Sequence, residues 1–494
     1  MTSLTVPSVR IHACNNRAVD ASRDYVLYWM IANRRRHWNF ALQRAVHWAT
    51  ELRRPLLIVE ELNCDYPWAS ARFHSAVLEG MSDNLRTFES SGALYYPFVE
   101  RFPSQGKGMA QVLAESSCMV VTDDFPTFEI ARSIAALVER SRVLVEKVDS
   151  NGIFPMRFTD RVFTTAHSFR RFLQKELRPH LGEFPSADSL AGVELPRVAA
   201  PPILKKRWPA VTVQELSSAK VLAAAIPVDQ SVAPVSGFAG GPGAARDRLK
   251  RFVKNGLHSY VETRNQPEAQ TSSGLSPYLH FGHISAHEAF QAVAAAVNWS
   301  PQKLSSKTTG SREGWWGAGP DAEAFFDQLV TWREIGFNMC AHSPDYATYG
   351  SLPAWARKTL ADHAADPRPV LYKRKQLENA ATHDALWNAA QSQLLAEGRI
   401  HNYLRMLWGK KILEWSPTPE DALETMIDLN NKHALDGRDP NSYSGIFWTL
   451  GRYDRPWVPQ RPIFGTIRYM SSDSASRKLR VRNYIKRYTR EYLV

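Results

Sequence analysis

A short serine-rich segment of this 494-residue chain has the residue types of a phosphate-binding loop. Residues 271–285, TSSGLSPYLHFGHIS, place three serines and a glycine ahead of Pro277. Hydroxyl groups and backbone N–H groups at the start of a helix can hold a phosphate or pyrophosphate. The same letters also form an ordinary helix cap, with Ser276 as the capping residue and Pro277 in the first helical position. Both interpretations are open from these residues alone.

A second candidate group lies in FFDQLVTWREIGFN, residues 325–338. The spacing predicts a helix on which Gln328 and Trp332 are one turn apart on one face, with Arg333 beside them. An amide and an indole so placed could hydrogen-bond and stack against a planar base. An amphipathic helix with a partly buried tryptophan would give the same pattern.

The turn-like string LDGRDPN is the third candidate group, and it lies within residues 428–448. Its polar side chains, which could read the edge of a heteroaromatic ring, are Asp436, Arg438, Asp439 and Asn441. The string lacks the spacing of a calcium loop, and no glutamate follows at its twelfth position. We therefore expect no metal here.

Tryptophan is abundant, with fifteen in the chain, and three of them could carry electrons. Trp408 and Trp415 are seven residues apart, which on a helix gives one face and roughly 10.5 Å along the axis. Trp387 lies 21 residues before Trp408, beyond an expected break at Gly398. Tryptophan more often fills a core, so this signal needs support from other residues.

The elements that must position these residues fall into three parts. Residues 1–185 predict an α/β domain with a parallel, Rossmann-like sheet, because short apolar runs alternate with helix-length segments. Residues 186–243 are rich in Pro, Gly and Ala and predict a linker with one short helix. Residues 244–494 predict a mainly helical domain. The runs expected to be strands are 55–62, 93–100, 117–124 and 142–149.

Charge and cysteine usage narrow the class of protein. The chain has 61 Lys and Arg against 49 Asp and Glu, and residues 451–494 alone carry eleven basic and three acidic residues. A basic face of this kind favours a nucleic-acid partner, although a solvated basic tail has the same composition. Four widely separated cysteines, no secretory signal and no long apolar run predict a cytoplasmic protein without a membrane span.

Taken together, five strings in the second half resemble the photolyase/cryptochrome flavoproteins, specifically the class II cyclobutane pyrimidine dimer photolyases. They are LSPYLHFGHIS, THDALWNAAQ, EGRIHNYLRMLWGKKILEW, LDGRDPNSYSG and RPIFGTIRYM, and they occur in the family's order. Residues 28–45 look like the opening helix region of the family. The resemblance implies an α/β antenna domain, a linker and an all-α domain that binds FAD. It also implies an enzyme, a deoxyribodipyrimidine photo-lyase, that is cytoplasmic and, in a bacterium, associated with the nucleoid.

The resemblance further implies light-driven DNA repair, in which excited reduced FAD transfers an electron to a pyrimidine dimer flipped out of DNA. A dimerised base stacks and pairs poorly in the duplex, and this lowers the free-energy cost of flipping it out. A second, antenna chromophore in the N-terminal domain is open, as a deazaflavin, a folate or none. The family is typically monomeric, and its DNA contacts are to phosphates rather than to sequence.

Residue roles carry over position by position. The FAD contacts implied are Tyr260, Arg264, Ser272, Ser273, Gly274, Leu275, Ser276, Arg333, Asn402, Arg405, Asp436, Arg438 and Asn441, with Arg405 paired to Asp436 and Asn430 facing the flavin N5. The implied tryptophan relay is Trp387, Trp408 and Trp415. The implied dimer and DNA contacts are Gln328, Trp332, Tyr403, Met406, Trp448 and Arg468.

One residue departs from the family pattern. At Gln328 the family has a glutamate, whose carboxyl group hydrogen-bonds the dimer's carbonyls. Glutamine can still donate through its NH₂ group, but it cannot supply a proton. The alternatives therefore include a blue-light photoreceptor of the same fold and an enzyme for another lesion, the 6-4 photoproduct. A non-catalytic nucleic-acid-binding protein is a further alternative, and it predicts no bound chromophore.

Overall fold

The computed structural model describes residues 5–269 and 271–489, and the chain divides into two compact units. The first unit comprises Met1–Thr159, Leu177–Lys250 and Gly274–Ala292, and the second comprises Asp160–Glu176, Arg251–Ser273 and Val293–Val494. The expected division of the chain at residues 185 and 243 stays a prediction. No helix among the described residues is long and apolar enough to cross a membrane.

The first unit is built on a six-stranded sheet. Its strands are β1 (Ile11–Ala13), β2 (Tyr25–Met30), β3 (Leu56–Leu62), β4 (Leu94–Val99), β5 (Ser117–Asp123) and β6 (Val145–Val148). They lie in the order β1-β6-β5-β2-β3-β4. All neighbours are parallel except β1 and β6, which pair antiparallel with Ile11 opposite Val148. The α/β fold class is confirmed, with one antiparallel edge strand added to the expected parallel sheet.

The central strand β2 shows why this sheet is covered on both faces. All six residues of its sequence YVLYWM are buried. Val26 and Tyr28 pack into the apolar cluster on one face, whereas Leu27 and Trp29 pack into the cluster on the other. Successive side chains of a strand point to opposite faces, so a strand buried on both sides needs a continuous apolar run.

The four expected runs all contain strands, but β1 and β2 were not expected. Residues 28–45, expected to be the opening helix region, are helical only from Phe40 onward. In the structure, β2 ends at Met30 and helix α1 begins at Phe40. Asn39 caps that helix by accepting hydrogen bonds from the N–H groups of Ala41 and Leu42. The Arg-rich stretch between the strand and the helix is loop.

The other regular elements of both units are mainly α-helices. In chain order they are α1 (Phe40–Leu52), α2 (Ala71–Glu89), α3 (Met109–Glu115), α4 (Phe128–Arg140), α5 (Ala166–Glu176), α6 (Pro202–Arg207), α7 (Val213–Leu216), α8 (Ala219–Ala225), α9 (Gly241–Asn255), α10 (Tyr260–Thr263), α11 (Ser276–His280), α12 (Ala286–Ala296), α13 (Pro320–Phe326), α14 (Arg333–His342), α15 (Ala354–Asp362), α16 (Arg374–Glu378), α17 (Ala385–Glu397), α18 (Asn402–Trp415), α19 (Pro419–His433), α20 (Pro440–Trp448), α21 (Ser472–Lys478) and α22 (Arg482–Tyr488). The mainly helical second half is confirmed. The expected linker holds three short helices, α6 to α8, rather than one.

Two features of the helical part differ from the sequence expectation. Between α13 and α14, residues Asp327–Trp332 form a π-helix instead of continuing an α-helix. Helix α11 begins at Ser276 itself, after Leu275 as its capping residue, so Ser276 is not the cap. The expected break at Gly398 is present, because this residue ends α17 in the left-handed conformation with φ of 63°.

Candidate functional site

The serine-rich loop passes from the second unit into the first between Ser273 and Gly274. Within the first unit, Gly274 has φ of 64°, and a Cβ added there would lie 2.6 Å from the Nε of Arg248 on α9. Only glycine allows the backbone to approach the guanidinium this closely. Leu275 is buried and Ser276 is exposed, while Ser272 and Ser273 are half-buried in the second unit.

Tyr260 and Arg264 lie together at α10 in the second unit. The Tyr260 ring packs edge-on against Phe252 and Phe325, and burial raises the pKa of its hydroxyl group. The Arg264 guanidinium lies 5.9 Å from the centre of that ring. The two side chains therefore form one aromatic and cationic surface.

His401 precedes α18 and is an unexpected member of this neighbourhood. It hydrogen-bonds the backbone of Arg264, and burial lowers the pKa of its imidazole to about 4. Its Nδ1 atom has no hydrogen-bond partner among the described residues, although it is buried. A buried polar atom without a partner in a native fold indicates a group that a ligand or water satisfies. The next residue, Asn402, is exposed at the first position of α18.

The turn between α19 and α20 brings the expected flavin-edge residues together. Arg405 on α18 forms an ion pair of 3.0 Å with Asp436, and both side chains are largely buried. Arg438 is buried with φ of 67°, a strained value for a residue other than glycine, and its N–H donates to the Oδ1 of Asn431. Such strain is found at sites where the surrounding structure holds a residue in place for function.

Two amide side chains complete this turn. Asn430 is buried on α19 and donates from Nδ2 to the hydroxyl oxygen of Ser442, at 2.6 Å. Asn441 is half-buried at the second position of α20, where its N–H donates to Asp439, the capping residue of that helix. These four residues, Asp436, Arg438, Asn430 and Asn441, thus belong to one turn and the two helices beside it.

The three relay tryptophans lie in the main core of the second unit and are almost completely buried. The ring centres of Trp387 and Trp415 are 5.5 Å apart with planes at 72°. The Trp387 indole N–H donates to the backbone oxygen of Trp408 at 3.0 Å, and the Trp408 indole N–H donates to Gln391. The fold therefore brings Trp387 from α17 against both tryptophans of α18.

The expected dimer-flanking residues lie on helices that pack tightly against one another. A Cβ added at Gly336 on α14 would lie 2.7 Å from the backbone oxygen of Pro440, so only glycine allows this approach of α14 to α20. Met406 on α18 also faces α20, with its Cε 3.8 Å from the Cβ position of Gly445. Gln328, Trp332, Tyr403 and Trp448 are half-buried, as a surface that accepts a ligand requires. Arg333 is buried, with its guanidinium 4.4 Å from the ring centre of Phe337.

Arg468 belongs to a cationic and aromatic cluster around Trp448. It forms an ion pair of 3.0 Å with Asp454 and stacks on Trp457 at 3.9 Å. Its guanidinium is also 5.4 Å from the ring centre of Trp448, and the ammonium of Lys410 is 5.2 Å from the same ring. Burial lowers the pKa of Lys410 to about 7.

Sequence reasoning missed several residues that lie next to the expected site residues. Lys410 and Asp454 near Trp448, His401 near Arg264, and Asp327 near Trp332 were not singled out. A lysine in the middle of the apolar string RMLWGKKILEW was the available signal for Lys410, because a buried lysine is rare without a specific role. The others depend on contacts that only the fold reveals.

No family model matches the chain. The chain is 31% identical over 483 residues to a deoxyribodipyrimidine photo-lyase of Methanothermobacter thermautotrophicus, covering 97% of both chains. It is 33% identical over 474 residues to a deoxyribodipyrimidine photo-lyase of Oryza sativa, covering 93% of this chain and 86% of that protein. Cryptochromes match over less than half of this chain.

Among solved structures, a bacterial class III photolyase from Agrobacterium tumefaciens has the same fold. The TM-score is 0.68 with 16% sequence identity, covering 94% of this chain and 86% of that one. A sheet unit followed by a helical unit with buried tryptophans therefore defines a protein of the photolyase fold. The full-length sequence similarity is more specific, and the chain belongs to the deoxyribodipyrimidine photo-lyase family.

Proposed function

We propose that this protein is a light-dependent DNA lyase of the class II type, which splits cyclobutane pyrimidine dimers flipped out of DNA. The observation that carries this proposal is the placement of three buried tryptophans in the same helical unit as the Arg405–Asp436 ion pair, with Trp387 in ring contact with Trp415 and hydrogen-bonded to the backbone of Trp408. Tryptophan often only fills a core, but a chain of buried indoles can also carry electrons to a nearby redox cofactor. The family relationship supports the same reaction.

The residues of the second unit fit a flavin. Arg405, Arg438, Asn430 and Asn441 offer hydrogen-bond donors at one turn, and Asp436 holds the Arg405 guanidinium in place. The buried Nδ1 atom of half-buried His401, which has no partner among the described residues, offers a further polar contact beside Arg264. In the first unit, Arg248 against Gly274 supplies a positive charge to the loop expected to hold the diphosphate. When bound, reduced FAD supplies the light-driven electron for the reaction.

The protein's own contribution is position and the exclusion of water. Trp332 and Trp448 offer aromatic faces to a flipped dimer, and Met406 and Tyr403 form an adjacent surface on α18. Gln328 can donate a hydrogen bond to a pyrimidine carbonyl through its NH₂ group, without transferring a proton. Basic side chains of residues 451–489, Arg468 among them, grip phosphates without reading sequence.

The decisive experiment illuminates the reduced protein with single- and double-stranded oligonucleotides that contain one thymine dimer. We expect the pyrimidine absorbance to recover in the light and to stay constant in the dark. Bound FAD without light-dependent repair of this substrate would overturn the proposal. Light-dependent repair of an oligonucleotide with a 6-4 photoproduct, and not of the thymine dimer, would identify the 6-4 photoproduct as the substrate.

Gln328 is the one residue that favours a second function, a blue-light photoreceptor of the same fold. The glutamine removes the carboxyl group that the family uses on the dimer, which a receptor does not need. A receptor would photoreduce its flavin normally while failing to repair either lesion. An antenna chromophore in the first unit, a deazaflavin or a folate, would appear as a second absorbance band of the purified protein.

A further inference from the structure

A buried carboxylate ties down the indole of Trp332. Asp327 accepts two hydrogen bonds from Arg170, from Nε at 2.7 Å and from Nη2 at 3.1 Å. The same carboxylate accepts a third from the indole Nε1 of Trp332, at 3.2 Å. Arg170 and Asp327 are buried, whereas Trp332 is half-buried. Hydrogen bonds thus link the three side chains in a continuous series, from the buried guanidinium of Arg170 to the indole ring of Trp332.

The π-helical segment is what makes this contact possible. Asp327 and Trp332 are five residues apart, which on an α-helix would place them about 140° apart around the axis. In the structure, Asp327–Trp332 is a π-helix, whose hydrogen bonds join residues five apart. The extra residue in the turn therefore brings the carboxylate and the indole to the same side. Such π turns are frequently found at functional sites.

Arg170 is itself held by partners that keep the carboxylate in one place. It lies on α5, one turn before Gln174, and it donates from Nη1 to the backbone oxygen of Gly310 at 3.4 Å. Gln174 accepts from the N–H of Gly310 and donates to the oxygen of Ser311. Bidentate arginine–carboxylate pairs fix geometry as well as charge. The Asp327 oxygens thus present a rigid acceptor to the indole.

We propose that Asp327 is a positioning residue, which fixes the ring plane of Trp332 for stacking against a flipped pyrimidine dimer, with Arg170 holding the Asp327 carboxylate. The inference rests on the proposed function, since it deepens the role of Trp332. An indole held by its N–H before the substrate arrives loses less rotamer freedom on binding. Its ring stays accessible because only the N–H edge is bound.

The test measures the dark affinity for DNA with and without a single dimer. Asp327→Leu removes both acceptor oxygens, and Asp327→Asn keeps one. We expect Asp327→Leu to lose about ten-fold in affinity for dimer-containing DNA, with little change for undamaged DNA. Asp327→Asn should keep most of the affinity. It is also the variant to use if Asp327→Leu does not fold.

A double-mutant cycle separates positioning from a merely structural role. In a Trp332→Phe background no indole N–H remains, so Asp327→Asn and Asp327→Leu should have the same affinity. An undiminished loss on Asp327→Leu in that background would overturn the proposal. Glu323→Gln is the matched control, because Glu323 is a buried carboxylate nearby that accepts from the N–H of Gly317, at 2.8 Å. It should leave the preference for dimer DNA intact.

A second readout holds even if the protein does not recognise dimers. In protein labelled with ¹⁵N-tryptophan, Trp332→Phe identifies the Trp332 indole resonance. That N–H should exchange slowly with solvent in the wild type and quickly in Asp327→Leu. Fast exchange in the wild type would overturn the proposed positioning. Slow exchange without any dimer preference would refute the proposed function and leave the Asp327–Trp332 hydrogen bond established.

Discussion

Lys410 gives the sharpest test of the electrostatics behind the candidate site. Its side chain is fully buried on α18, and its ammonium donates to the backbone oxygen of Thr449 at 2.6 Å. Burial is the main cause that lowers the pKa of Lys410 from 10.5 to about 7, with a smaller opposite effect of Asp454 and a further lowering by Arg468. Among the described residues, no carboxylate forms an ion pair with this ammonium to offset its desolvation.

The free-energy cost of burying the charged Lys410 side chain follows from the difference of 3.5 between these two pKa values. One pKa unit corresponds to about 1.4 kcal/mol, so a charged Lys410 destabilises the folded state by about 5 kcal/mol below pH 7. Between pH 7 and 10.5 the unfolded chain binds more protons at this residue than the folded one. The contribution of Lys410 to stability therefore rises with pH across this window.

Lys410→Met keeps the length of the side chain and removes the charge. At about pH 6 the variant should be more stable by about 4 kcal/mol, because the lost hydrogen bond to Thr449 offsets about 1 kcal/mol of the gain. By about pH 9.5 the difference should have shrunk by about 3 kcal/mol. Equilibrium urea unfolding of both proteins at these two pH values measures it.

Lys411→Met is the matched control at the adjacent position. Lys411 has the carboxylate of Glu414 as a counter-charge at 2.7 Å, so its removal should not stabilise the protein at either pH. A difference between wild type and Lys410→Met that stays constant from about pH 6 to 9.5 would refute the reasoning about Lys410.

Three further outcomes are expected. Trp408→Phe should strongly slow photoreduction of bound FAD, measured by flavin absorbance under blue light, and leave dark DNA binding intact; unchanged photoreduction would remove Trp408 from the relay. Arg405→Met removes the charge that pairs with the buried Asp436 carboxylate at 3.0 Å, which should destabilise the unit by up to about 3–5 kcal/mol and reduce FAD content; Asp436→Asn alongside it distinguishes charge from packing. Gln328→Glu should raise the repair yield per absorbed photon, and an unchanged yield would show that the glutamine does not limit the reaction.

The sheet shows how far local pattern predicts this fold. Runs of Val, Ile and Leu bounded by polar residues predict β3 to β6 because these strands are buried on both faces. The strand β2, Tyr25–Met30, is also a run of apolar and aromatic residues. The Arg-rich stretch that follows it conceals where this strand ends. The edge strand Ile11–Ala13 is only three residues long, and its pairing opposite Val148 is a long-range contact that no local period indicates.

The candidate site, like the sheet, could be predicted from the sequence only in part. The family's strings supply Arg405, Asp436 and the expected relay tryptophans. The structure pairs Arg405 with Asp436 and places Trp387 in contact with Trp408 and Trp415. The π-helix at Asp327–Trp332 could not be predicted, because its letters fit an α-helix equally well. Its carboxylate is held by Arg170, 157 residues away in sequence, so the cause of the local distortion is tertiary.

The two tryptophans expected to flank the dimer lie beside charges of opposite sign. Trp332 has an anion at its N–H edge, where the carboxylate of Asp327 fixes the ring plane by a hydrogen bond. Trp448 has cations within reach of its ring, the buried ammonium of Lys410 and the guanidinium of Arg468. A hydrogen bond sets orientation, whereas attraction between a cation and a ring face sets contact and tolerates rotation. We therefore expect the Trp332 ring to be held more rigidly than the Trp448 ring.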